Sequence, residues 1–207
     1  MNPRTLLGTL LLAAALPAFA ALPEPKVEYS ADTTMETAHG AMQGRVFHAR
    51  AKERREMNAS GERMVSITRQ DKKVMWMLMT EQKAFMEMPL GASQDQNDLS
   101  GWTFEQTVVG PEEIDGLKTT TAKVIAKGPR GEKMGGFWWT TADGVMVKMD
   151  MLAVEKGSKM RIKMELKNLK VGKQDPALFE VPAGFSKMQM PGMGGMPAMP
   201  AMPGVPR

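Results

Sequence analysis

Met160-Arg161-Ile162-Lys163-Met164-Glu165-Leu166-Lys167 decides the fold class. Met160, Ile162, Met164 and Leu166 occupy one parity, while Arg161, Lys163, Glu165 and Lys167 occupy the other. A period of two puts the apolar set on one side of a strand and the charged set on the other. The same alternation runs outward in both directions. Val145, Val147, Met149 and Met151 alternate with Met146, Lys148 and Asp150. Ala84, Met86 and Met88 alternate with Lys83, Phe85 and Glu87, and Val27, Tyr29 and Ala31 with Glu28, Ser30 and Asp32.

Turn residues punctuate these runs at short intervals. His39-Gly40, Ser60-Gly61, Asp115-Gly116, Pro129-Arg130-Gly131, Asp143-Gly144 and Lys156-Gly157-Ser158 all carry turn chemistry. Short strands with a turn about every ten residues predict an all-β, antiparallel meander of about ten or eleven strands. Helix is confined to one or two short pieces. Gln94 to Ser100 is one candidate, and Asp175-Pro176-Ala177-Leu178-Phe179, with proline at a first-turn position, is the other. Val74-Met75-Trp76-Met77-Leu78-Met79 is apolar on both parities and predicts a strand covered on both sides. A short helix fits one cover, and a ligand cavity or second sheet the other.

The ends differ from the middle. Met1-Asn2-Pro3-Arg4 leads into an apolar run from Leu6 to Leu16 and then Ala18-Phe19-Ala20. A positive start, a short apolar run and a small-x-small site predict that residues 1–20 are a removable secretory signal. The run is shorter than the roughly 20 residues of a membrane span, so no transmembrane anchor is expected in the mature protein and a periplasmic location is. Residues 21–187 form the folded domain. Residues 188–207 are almost wholly Met, Pro, Gly and Ala and predict a disordered tail.

Composition excludes several functions. There is no cysteine, which removes disulfides, thiolate metal sites and cysteine nucleophiles. The net charge of +4 comes from interspersed charges, with no basic block among aromatics, so no nucleic-acid partner is expected. The only histidines, His39 and His48, belong to no nucleophile, metal or phosphate motif. Gly128-Pro129-Arg130-Gly131 lacks the Lys-Ser/Thr of a phosphate loop, and Glu112, Glu113 and Asp115 read as a solvated acidic loop. A non-enzymatic protein is expected. Methionine is the anomaly, with 22 residues against seven Phe and one Tyr. Its flexible thioether suits surfaces that bind varied apolar partners.

A resemblance appears in the last third. Phe137-Trp138-Trp139-Thr140-Thr141-Ala142-Asp143-Gly144-Val145-Met146-Val147-Lys148-Met149 is a Trp strand, an acidic-Gly turn and an apolar-Lys-apolar strand. Further on, Leu166-Lys167-Asn168-Leu169-Lys170-Val171-Gly172 leads into Leu178-Phe179-Glu180-Val181-Pro182-Ala183-Gly184-Phe185. Residues 117–187 resemble the periplasmic lipoprotein-carrier superfamily of LolA/LolB-like proteins. They are most similar to an uncharacterised branch classed only as a domain of unknown function (type 4412). The resemblance implies a curved antiparallel sheet, an incomplete β-barrel whose concave face is capped by helices and holds an apolar cavity. It also implies a partner in the form of a lipoprotein acyl chain or other apolar ligand. Its motifs are structural and carry over no site residue.

In a curved sheet the inward parity would collect Met75, Met77, Met79, Met86, Met88, Trp138, Met149, Met151, Ile162 and Met164. The alternation alone leaves a packed core and a lined cavity equally open. Burying a 16-carbon acyl chain is worth roughly 12 kcal/mol gross at about 0.8 kcal/mol per methylene. Association costs of about 4–15 kcal/mol offset much of that, which suits a carrier that must also release. No cofactor is required. Two alternatives stand beside it: a structural module of unknown function, and soft-metal handling by the tail, where Met190, Met193, Met196, Met199 and Met202 recur every three residues. Thioethers suit Cu(I) or Ag(I). In polyproline II, which has three residues per turn, the five would line one edge about 9 Å apart.

Overall fold

The computed structural model describes residues 18–19, 24–38, 40–59, 61–90, 102–129, 131–155 and 158–188. Thirteen strands form one open, curved sheet. They are β1 (Ala18–Phe19), β2 (Tyr29–Thr37), β3 (Gly40–Ala49), β4 (Lys52–Ala59), β5 (Glu62–Arg69), β6 (Val74–Met79), β7 (Ala84–Pro89), β8 (Thr103–Ile114), β9 (Leu117–Lys127), β10 (Lys133–Thr141), β11 (Met146–Glu155), β12 (Ser158–Val171) and β13 (Ser186–Met188). The sheet order is β1-β8-β9-β10-β11-β12-β2-β3-β4-β5-β6-β7-β13. Two meanders, β2–β7 and β8–β12, are therefore joined where β12 lies antiparallel to β2. Every other pairing is antiparallel too, except that of β13 with β7.

The eleven strands β2–β12 match the sequence expectation, and the two additional strands are pieces of two and three residues. The turn chemistry is realised where it was strongest. Asp115 (φ 48°) and Gly116 (φ 79°) connect the paired residues Ile114 and Leu117 as a two-residue hairpin loop. Most of the predicted signal and all of the tail beyond Met188 lie outside the described residues. Ala18–Phe19, the described part of that signal, pair with Glu105 and Gln106 of β8. The helix expected near Gln94–Ser100 also lies outside them. Among the described residues no helix is long and apolar enough to cross a membrane.

Facing residues in an antiparallel ladder share a side of the sheet, so the ladders sort every strand into two faces. One face carries cross-strand charge pairs over the middle of the sheet. Arg161 bonds Asp150 at 2.6 and 2.8 Å, and Lys163–Glu36, Lys148–Glu165 and Arg45–Asp32 span 3.5–3.6 Å. Farther along the same face, Val65, Ile67, Trp76 and Leu78 are buried against Phe179.

The predicted helical turn at Asp175 supplies that cover. Pro176–Phe179 form a single 3-10 turn, and Asp175 caps it by accepting from the Ala177 N–H at 2.9 Å. Arg69 ties it down from β5, donating to the Phe179 carbonyl at 3.0 Å and to the Glu180 carboxylate. It holds Asp71 through two further bonds of 2.7 and 2.8 Å. Arg54 donates to the Leu178 carbonyl at 3.2 Å. The backbone of the turn is thus satisfied by two arginines whose strands it covers.

The direction of curvature follows from two glycines. A Cβ on Gly44 of β3 would meet the Glu56 carbonyl oxygen of β4 at 1.8 Å. One on Gly136 of β10 would meet the Asp150 carbonyl oxygen of β11 at 2.0 Å. Both positions point to the face opposite the charge pairs. At both places the neighbouring strand rises on that side, so the sheet curls toward it. The charged, helix-covered face is convex. The single described helical turn thus lies on the convex side, whereas the family resemblance places capping helices on the concave one.

Candidate functional site

The concave face is built from methionine. In β6 and β7, Met75 faces Met88, Met77 faces Met86, and Met79 faces Ala84. In β11, β12 and β2, Met149 faces Met164, which in turn faces Met35. Met35 faces Met42 of β3, and Met57 faces Met64 between β4 and β5. Trp138 extends the row through Met149, and Ile162 lies opposite Met151.

All ten residues singled out from sequence therefore fall on one side of one sheet. Trp138, Met151 and Met164 are buried there. Met75, Met77, Met79, Met86, Met88, Met149 and Ile162 are half-buried. They do not form one cluster. Trp138 and Met151 pack with Phe104 and Val124, with Met149 at the margin. Met164 packs with Tyr29, Val46, Val147 and Leu166. The β6–β7 methionines lie across the face from both.

What separates them is a polar seam that the sequence reading missed. Tyr29, His48, Glu53 and Thr68 face one another in a row across β2–β5, and Arg55 faces Ser66 beside them. The His48 ring stacks on Tyr29 at 5.2 Å, and its Nδ1 lies 4.0 Å from Glu53. Arg55 donates to Glu53 at 2.6 Å. Burial, helped by the Glu53 charge, pushes the Tyr29 hydroxyl up to about 12. Burial lowers His48 below its ordinary value against the pull of Glu53. Its Nε2 is buried without a hydrogen-bond partner among the described residues. The signal was available in Lys52-Glu53-Arg54-Arg55-Glu56, whose charges fall on both parities and so cannot all reach the wet side.

Other expectations resolve differently. The acidic run at Glu112 is not a solvated loop. It closes β8, and Glu112 accepts from Trp139 Nε1 at 2.7 Å and from the Thr121 hydroxyl at 2.9 Å. Those bonds hold its carboxyl below the usual range. Trp139 thus serves the convex face while Trp138 serves the concave one. His39 and the tail methionines Met190, Met193, Met196, Met199 and Met202 lie outside the described residues. Among the described residues no three His, Cys, Asp or Glu converge as a metal site. A cavity of about 340 Å³ is lined by Glu24, Pro25, Lys26, Val27, Glu28 and Arg50, and one of about 70 Å³ by Thr34, Glu36, Lys163 and Glu165. Neither involves the ten candidates.

No family model matches the chain, and no curated protein matches it. Solved structures do. An uncharacterised conserved protein from Thermus thermophilus is 12% identical over 79% of this chain and 90% of its own, with a TM-score of 0.53. MucB is 11% identical over 78% of this chain and 59% of its own, with a TM-score of 0.49. Lipoprotein LppX from Mycobacterium tuberculosis is 12% identical over 68% of this chain and 85% of its own, with a TM-score of 0.40. At 12% identity the likeness to the Thermus thermophilus protein is one of fold.

Proposed function

We propose that this chain is an exported, non-enzymatic binding protein of the lipoprotein-carrier type, which takes an acyl chain or apolar peptide along its concave face. One observation carries the reading: thioethers from β2, β3, β6, β7 and β11 collect half-exposed on the inner side of a curled sheet, around the buried Met151 and Met164. Unbranched, polarizable side chains repack around differing apolar shapes at little cost. The polar seam bounds the apolar area and offers Arg55 and His48 to a ligand's polar end. The leader-like residues 1–20 support delivery to the periplasm, and the Leu-Phe-Glu-x-Pro-x-Gly ending supports the narrower kinship with the unknown-function branch.

Native mass spectrometry of protein isolated from the periplasm tests the reading. Adducts of acyl-chain mass are expected, and delipidation should remove them and relipidation restore them. Protein that carries no adduct and takes none up when offered a 16-carbon fatty acid would refute it.

A further inference from the structure

The outer quarter of the concave face holds four thioethers in a rectangle. Met75 and Met77 stand two residues apart on β6, facing Met88 and Met86 on β7. Facing Cβ atoms in an antiparallel pair lie about 4.5–5.5 Å apart, and alternate residues along a strand about 6.6–6.8 Å apart. All four side chains project to one side and are half-buried, so their sulfurs are reachable. The half-diagonal of that rectangle is about 4 Å, which a sulfur two bonds beyond Cβ spans together with a metal–sulfur bond of about 2.3 Å, so the four can hold one ion. The tail methionines, about 9 Å apart in the extended form, cannot do this without a bend.

The composition of these two strands argues against methionine as a mere stand-in for leucine. Such drift would touch both faces. On the convex face the same strands present Val74, Trp76, Leu78 and Phe85, ordinary core residues packed on the Phe179 turn. On the concave face they present methionine at every position but Ala84. Methionine gives a strand none of the preference that valine or isoleucine would. What it adds is a soft donor.

We infer that Met75, Met77, Met86 and Met88 form a thioether site for a soft monovalent cation of the Cu(I) or Ag(I) class. Soft sulfur ligands select such ions over harder ones. The chain has no cysteine to compete. A thioether carries no proton to displace, so binding is flat in pH where thiolate or imidazole sites are not. The site shares its lining with the acyl-chain reading but does not rest on it.

The test uses silver ion alone, in chloride-free buffer, with the full chain carrying Met190, Met193, Met196, Met199 and Met202 all changed to Leu. That protein is expected to bind one Ag(I), with an affinity unchanged from about pH 5 to 8, where a histidine site would titrate. X-ray absorption should show a sulfur-only shell. Adding Met75→Leu, Met77→Leu, Met86→Leu and Met88→Leu should abolish that ion. Leucine preserves volume, so the variant is expected to fold. The acyl reading is tested separately, by fatty-acid uptake of the unaltered chain without silver, so the two readings can fail independently. If the fourfold variant does not fold, Met77→Leu with Met86→Leu should weaken binding alone. Loss of all silver binding in the tail variant, a nitrogen or oxygen shell, or silver retained by a folded block variant would each overturn the site.

Discussion

Arg69 is the residue on which the convex core turns. It is 4% exposed, donates to Asp71, to Glu180 and to the Phe179 carbonyl, and lies 5.8 Å over the Trp76 ring. Arg69→Ala strands the buried Phe179 carbonyl and removes the bonds to two solvent-facing carboxylates. It should cost about 2–3 kcal/mol by urea unfolding, and Arg69→Lys, which cannot fork, should recover only part of that. A loss within the scatter of surface substitutions would show that the 3-10 turn is held by Phe179 alone.

The pH dependence follows from the same cluster. The bonds from Arg69 hold the Asp71 carboxyl down to about 2, below the unfolded value of about 3.9. A depressed acid contributes its full stability above the unfolded value and loses it as pH falls through the folded one. Wild type should therefore converge on Asp71→Asn in urea midpoint as pH falls from about 4 to about 2. A gap that stays constant over that window would contradict the assignment. Gly136→Ala is a third residue-scale test. Its new Cβ would meet backbone, not a side chain that can move aside, so a loss of about 2–3 kcal/mol is expected by thermal or urea unfolding. A neutral effect would mean that the sheet does not curl there.

At the scale of elements, legibility in the sequence tracked solvation. β12 was readable because Arg161, Lys163 and Glu165 face water and declare the parity of Met164 and Leu166. β6 was readable as a strand but not as an oriented one. Both its parities are apolar, and only the pairing of Ile67 with Trp76 and of Met77 with Met86 places Trp76 outward and Met77 inward. β10 and β11 hide a register shift between Trp139 and Thr140, a bulge that no alternation announces. The charges on both parities of Lys52–Glu56 announced a polar inward patch, but only the β2–β5 pairings show Glu53 in line with Tyr29, His48 and Thr68. The convex charge ladder supplies a control for the element scale. Arg161→Ala on exposed β12 should leave the urea midpoint beside that of wild type. A lower midpoint would mean that the convex pairs help hold the sheet.

At the scale of the molecule, the β12–β2 pairing joins two meanders into one open sheet. Residues as distant as Met35 and Met164 must meet before the concave face exists. Non-local pairing of this kind folds slowly, on the order of milliseconds to seconds. The apolar face is thereby a property of the whole sheet and not of either half. It was predictable as a set of parities, and its shape became legible only through Gly44 and Gly136, where strands approach too closely for any side chain.

Photolabelling with a diazirine-bearing 16-carbon fatty acid, read by peptide mapping of the full-length protein, tests the methionine-lined hollow most directly. Label is expected on the inward residues of β6, β7, β11 and β12, Met77, Met86, Met149 and Met164 among them, and little on Arg161 or Lys163 behind them. Label confined to the convex side or to residues beyond Met188, or none above that on unfolded chain, would contradict it.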